Sequence, residues 1–229
     1  MRRLATYLFM LCLAGCHTGH DFPRPTADSL VLGQSMRAEI LRIYGKPTRE
    51  SSAVLSSAQT EGVTRGEFDM TPVSGSFASL VYLYADRTRT VLVGALSPPP
   101  VLVAAFDFWN ENLIGYNSVS TFVEDLSNFD ESRIAEIRKS QSTKADITQL
   151  FGPPSGRAIY PAVQHQGNEK FIYSYLQVRG GERFSKRLEI LFGADGVVLD
   201  YRFASDTTPI VRPAPTTTAT PIFIPQSHR

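Results

Sequence analysis

Reactive side chains are few in this chain, and the thiols sit near its start. The 229 residues hold two cysteines, Cys12 and Cys16, and four histidines, His17, His20, His165 and His228. Cys16 follows Leu13-Ala14-Gly15. An apolar residue, two small residues and a thiol is the order of a lipobox, where diacylglycerol is attached to the sulfur and the chain is cut just before it. The small residues let a peptidase admit extended backbone at the cut. His17 and His20 beside Cys16 superficially have metal-ligand spacing. An acylated sulfur has no thiolate to give, so no metal is expected there. His165 lies in the Gln164–Gly167 loop without a nucleophile beside it. Asp69, Asp107, Asp125 and Asp130 are scattered, and any carboxylate pair among them depends on the fold. There is no nucleophile elbow, no Ser-x-x-Lys and no phosphate-cradling glycine loop. The expectation is a protein that is not an enzyme and takes no cofactor.

The residues before Cys16 read as a leader. Arg2 and Arg3 make a positive start, and Leu4–Leu13 is an apolar run. It falls well short of the roughly 20 residues that span a bilayer and has the length of a secretory h-region. Residues 1–15 are therefore read as a lipoprotein signal peptide and Cys16 as the lipidated N-terminus. Cys12 leaves with the leader, so the folded part has no disulfide, although the export route permits them. His17 stands where Asp would retain an enterobacterial lipoprotein in the inner membrane. The expected location is the outer membrane, lipid-anchored, on the periplasmic face. Lys plus Arg number 23 and Asp plus Glu 22, a balance without the basic face that nucleic acid requires.

The elements that must position any site come from an internal repeat. Residues 33–47, GQSMRAEILRIYGKP, match 140–154, SQSTKADITQLFGPP, at six of fifteen positions. Ser35, and Ser142 or Thr143, are N-cap residue types, and Thr143 with Asp146 spells a capping box with Asp for Glu. Ile40, Ile43 and Tyr44, like Ile147, Leu150 and Phe151, fall at i, i+3, i+4 and form one helical face. Gly45 and Gly152 stop the helices, and Pro47 and Pro154 prevent a restart.

Strand-like runs follow each copy: Phe77–Tyr84, Val101–Trp109 and Leu113–Val119 after the first, and Lys170–Val178, Arg187–Phe192 and Val197–Phe203 after the second, with an Asp195-Gly196 hairpin signal. Val91–Leu96 reads as an extra strand or part of an insertion. Trp109 and Phe108 end a strand and read as packing residues. The expected fold is α+β: two tandem repeats, each a short helical segment packed on a three- to four-stranded antiparallel sheet. Residues 16–29 read as the lipidated Cys and a flexible tether, 30–128 and 129–205 as the repeats, 51–76 as a long mobile loop, and 206–229 as a disordered Pro/Thr-rich tail. Phe171, Tyr173 and Tyr175 share one strand face. They either pack on the Ile147/Leu150/Phe151 helix or leave Tyr173 and Tyr175 open as a binding surface.

Residues 131–154, ESRIAEIRKSQSTKADITQLFGPP, resemble the helical start of the SmpA/OmlA (BamE-like) outer-membrane lipoprotein domain. Phe171–Tyr175, Leu188–Phe192, Asp195-Gly196 and Val197–Tyr201 follow that family's strand order. The resemblance covers about 130–204 and, more loosely, 30–119. Two tandem copies also resemble the β-lactamase inhibitor protein, which shares that fold. The family's Gly-Met-Thr is replaced by Gln-Ser-Thr at 141–143 and Gln-Ser-Met at 34–36, so no binding residue carries over. The resemblance implies a periplasmic protein-binding or scaffold module in envelope or outer-membrane protein assembly, with barrel-assembly subunits as partners. The alternative is a proteinaceous inhibitor of a periplasmic or secreted hydrolase.

Overall fold

The computed structural model describes residues 17–57, 64–65, 68–69, 74–88, 98–125 and 128–210. Cys16 and the leader, Val91–Leu96 and the residues beyond Ile210 lie outside these.

Two short helices form at the repeated segments. Helix α1 spans Arg37–Tyr44 and helix α2 spans Lys144–Phe151. Both stop at a glycine in the left-handed region, Gly45 at φ 74° and Gly152 at φ 79°, where an L side chain would be strained. Their starts differ. Thr143 caps α2 in a reciprocal box with Asp146, whereas Met36 precedes α1 with no side-chain cap. Ser35 and Ser142 do other work: Ser35 Oγ accepts from the Val31 N–H and Ser142 Oγ from the Arg138 N–H. On α1, Ile40 and Tyr44 are buried while Ile43 turns outward at 39% exposure.

The strands are β1 His17–Thr18, β2 Arg49–Leu55, β5 Gly75–Asp86, β6 Val101–Trp109, β7 Asn112–Ser120, β8 Gly156–Ile159, β9 Glu169–Arg179, β10 Glu182–Phe192 and β11 Val198–Pro209; β3 Thr64–Arg65 and β4 Phe68–Asp69 form a separate pair. They correct the expected architecture. There are not two helix-on-sheet units with sheets of three or four strands each. Among the described residues one nine-stranded antiparallel sheet runs β1-β5-β6-β7-β8-β9-β10-β11, with β2 also alongside β5. The reason is β8. Its four residues pair with β7 at Gly115–Asn117 and with β9 at Glu169–Ile172, closing the gap between the two halves. Gly156 permits this, because a Cβ there would lie 2.5 Å from the Tyr116 carbonyl oxygen.

One face of the sheet carries both helices. In β5 the even positions Leu80 and Tyr82 join Phe106, Phe108, Leu113 and Tyr116 under α1. In β9 the odd positions Phe171 and Tyr173 join Leu188, Ile190 and Phe192 under α2. Ile172, on the other face of β9, packs with Ile114, Ala158, Ala162 and Val163. That third cluster lies at the junction of the halves.

Three stretches read as irregular contain strand or packed residues. Residues 17–29 are not a free tether: β1 pairs with Ala85–Asp86, Phe22 is 4% exposed in the α1 cluster, and Arg24 bonds Asp125. Part of the expected 51–76 loop belongs to β2, an exposed strand without apolar alternation. Strand β11 also runs on through Pro209, past the expected start of the tail at 206.

Candidate binding surface

The site residues named from sequence separate in the structure. Cys16 lies outside the described residues, one position before β1. Tyr173 is not on an open surface. It is 3% exposed, its ring meets Phe151 and Phe129, and its hydroxyl donates to the Gly152 carbonyl at 3.1 Å. Burial raises its pKa. Tyr82 repeats the arrangement below α1, donating to the Gly45 carbonyl at 3.1 Å, and burial raises its hydroxyl to about 12. Each tyrosine thus satisfies a carbonyl at the end of a helix. Tyr175 is half-buried against the α2 cluster, with Lys186 Nζ 5.5 Å from its ring centre. The alternation of β9 is as read from the sequence, and the aromatic face is the core face.

The candidate reactive groups have local structural roles. His20 Nε2 lies 2.8 Å from the Tyr44 carbonyl, so the Nε2–H tautomer donates at the end of α1. Asp125 accepts from Arg24 and Ser120, and Asp130 caps the turn Glu131–Glu136. Hydrogen bonding to Ser132 holds the Asp130 carboxyl below its ordinary value. No group of three or more metal-ligating side chains occurs among the described residues, and no helix among them is long and apolar enough to cross a membrane.

Around the junction, two carboxylates are each held by two partly buried cations. Glu169, 9% exposed at its side chain, accepts from Lys144 at 2.6 Å and Arg157 at 2.5 Å. Glu189 accepts from Lys170 at 3.1 Å and Arg187 at 2.8 Å. Removing one partner from such a cluster leaves a costly buried charge. The arrangement ties α2 and β8 to β9, and β9 to β10. Tyr116 lies alongside with its hydroxyl buried near Arg157; burial raises it to about 12. Sequence reading missed these groups because their partners are remote in the chain.

The surface best shaped for a ligand opens where β8 ends. Strand β7 runs on to Ser120 after its pairing with β8 stops at Asn117, and β9 runs on to Arg179 after its pairing stops at Ile172. Ser155 fills the first step of the gap: the Ser118 N–H donates to its carbonyl at 3.0 Å and the Ser174 N–H to its Oγ at 2.9 Å. Beyond it lies a cleft of about 380 Å³, walled by Pro25, Leu102, Val119, Pro153, Pro154 and Tyr175. A larger hollow of about 640 Å³ beside α2 is polar, and Arg133 there is already committed to Glu136 and the Leu150 carbonyl.

Comparison with known proteins adds little. No family model matches the chain. No curated protein matches it. Among solved structures, a protein from Streptococcus mutans, provisionally described as a beta-lactamase inhibitor protein, is similar over 74% of this chain and 82% of its own, with a TM-score of 0.39 and 8% identity. That likeness is too slight to carry an argument, and the SmpA/OmlA resemblance gains no support from these comparisons.

Proposed function

We propose that this chain is a lipoprotein anchored through Cys16 to the outer membrane, on its periplasmic face, and that it works as a protein-binding or scaffold module. The cleft at the end of β8 carries the second part. It offers apolar walls of proline, aliphatic and tyrosine side chains between two strands that have just lost their shared neighbour. Extended peptides bind such places by adding main-chain hydrogen bonds along a strand and seating side chains in apolar pockets. The first part is supported by the leader and by β1. If Cys16 is acylated, the lipid leaves the body one residue before the sheet begins, and the body is held close to the bilayer.

Two measurements test this reading. Cys16→Ser should release the protein to the soluble periplasmic fraction; retention in the outer membrane would overturn the anchor. A photo-crosslinking residue in place of Tyr175 or Val119, in cells, should capture an envelope protein that the same residue at Val54, exposed on β2, does not capture. Equal yields at all three positions would overturn the cleft. Capture of a single hydrolase would convert the scaffold into an inhibitor.

A further inference from the structure

The sheet ends on a long strand with one edge free. Strand β11 pairs with β10 from Glu182↔Pro209 to Phe192↔Val198; its outer side is bonded at its first residue, where Val198 meets Ser140 and Ser142, and among the described residues no strand pairs with it beyond that. Its one irregularity lies near its start, between Val198 and Asp200, opposite Leu191/Phe192 of β10, so 200–209 is regular. Native sheets usually blunt such an edge, because a row of unpaired N–H and C=O groups recruits another strand. Here the exposed strand is interrupted by no bulge over most of its length, and Pro209 comes only at its end.

The charges on β11 select a partner. Tyr201 and Phe203 face the α2 cluster, so Arg202, Ala204 and Asp206 share the other face. Arg202 stands opposite Glu189 on β10, and Glu189 is already held by Lys170 and Arg187. Asp200 is held by Lys139. Arg202 and Asp206 thus form a plus–minus pair, four residues apart on one face, with the outer side open.

We propose that two copies of this chain join antiparallel along β11, centred on Ala204, into one sheet that runs through both. Residues directly opposite in an antiparallel pair point to the same face, so a two-fold axis perpendicular to the sheet must pass through a residue that meets itself. Centring on Arg202 or Asp206 sets like charges face to face, and centring on Phe203 sets Asp200 against Asp206 of the second copy. Centring on Ala204 sets Arg202 against Asp206 of the second copy, twice by symmetry. It also engages residues 200–208, most of the strand. On the helix-bearing face, Phe203 then lies diagonal to its own counterpart, within reach of an aromatic contact.

Ala204→Cys tests the register in the full chain in cells. Opposed Cα atoms in an antiparallel pair lie about 4.5–5.5 Å apart, inside the range a disulfide needs. The expected result is a disulfide-linked dimer on a non-reducing gel that neither the unsubstituted chain nor Ser52→Cys, on the β2 edge, gives. Adding Arg202→Asp should lower the dimer yield at least tenfold, and adding Asp206→Arg as well should restore it. The restored variant also shows that the single reversal folds. No dimer from Ala204→Cys, or a dimer unmoved by Arg202→Asp, overturns the proposal, as does a double reversal that fails to recover the yield.

Discussion

The α1 and α2 regions use the same parts and close to different degrees. Each ends its helix on a left-handed glycine whose carbonyl takes a tyrosine hydroxyl, Tyr82 to Gly45 and Tyr173 to Gly152. Each lays the helix across three long antiparallel strands. The α1 cluster is the more nearly sealed: Phe22, Leu30 and Phe122 are buried in it, Tyr44, Tyr82 and Phe106 are at most 2% exposed, and Leu32, Leu41 and Tyr84 are its partly buried border. The α2 cluster keeps a ragged border, where Ile134, Leu150, Phe151, Tyr175, Tyr201 and Phe203 are only partly buried. The difference comes from chain order. The segment before α1 folds back over its cluster with Phe22 and Leu30, while the segment before α2 adds Phe129 and Ile137 at the two ends of one short turn. A sealed core serves stability; a ragged one beside a free strand edge and a cleft leaves apolar surface for contact.

That contrast predicts unequal responses to truncation. Phe106→Ala should cost about 3–5 kcal/mol, the range for emptying an aromatic site in a closed core. Phe22→Ala should come close to it, because residues 17–29 are part of the body. Phe203→Ala should cost about 1 kcal/mol, since its site is already partly open. Denaturant titration of the three variants checks the ranking. Equal losses for Phe106→Ala and Phe203→Ala would erase the distinction between the regions.

The junction gives the next effect. Gly156→Ala forces a methyl against the Tyr116 carbonyl and Asn117. Overpacking of this kind costs about 1–3 kcal/mol. Gly180→Ala is the control for backbone strain: its φ is +62° and nothing lies within 4 Å of the added Cβ. If amide exchange at Gly115–Asn117 quickens in Gly156→Ala and not in Gly180→Ala, β8 is what holds the halves together. Unchanged exchange in both would mean that the buried ion pairs suffice.

Below these come the tyrosine hydroxyls. Tyr82→Phe and Tyr173→Phe each remove the donor to a helix-end carbonyl and leave that acceptor with less satisfaction. A loss of about 1–2 kcal/mol is expected for each. A loss at Tyr173 alone would show that the first carbonyl finds another donor.

Much of the local structure was legible and the assembly was not. Helix stops, the α2 capping box and the long strands carry short-range signals: glycine at a chain reversal, Thr-x-x-Asp, alternation over many residues. Strand β8 has four residues and no period to detect, yet it fuses what read as two sheets. Strand β2 is an exposed edge, RESSAVL, whose composition resembles a loop. Phe22 hides in a polar, proline-containing stretch, and one aromatic is too little to announce docking. The cleft was invisible because it is a place where strand pairing stops. The aromatic face of β9 was recognised; burial beneath α2, set by the helix end above it, decides that it is core.

The smallest expected effect concerns the helix starts, where the two regions differ at the N-cap residue, Met36 against Thr143. Thr143 accepts from the Asp146 N–H and Asp146 accepts from the Thr143 N–H, whereas Met36 offers α1 nothing. Thr143→Ala should therefore cost about 1 kcal/mol. Met36→Thr should return a similar amount, because Met36 is exposed, its backbone already has the extended N-cap conformation, and Glu39 stands three residues on to complete the box. For a chain of this size each change corresponds to a melting shift of about 2–4 °C, in opposite directions. The α2 box also carries a pH signature. Its backbone hydrogen bond from Thr143, with the Thr143 hydroxyl second, holds the Asp146 carboxyl below the ordinary aspartate value of 3.8. A depressed carboxylate stabilises the folded state above its unfolded pKa, and that stabilisation is lost as pH falls through the lower, folded one. The difference in melting temperature between the parent chain and Thr143→Ala should therefore be full near neutrality and shrink below about pH 4. No gain from Met36→Thr would mean that the cap is not what separates the two helix starts.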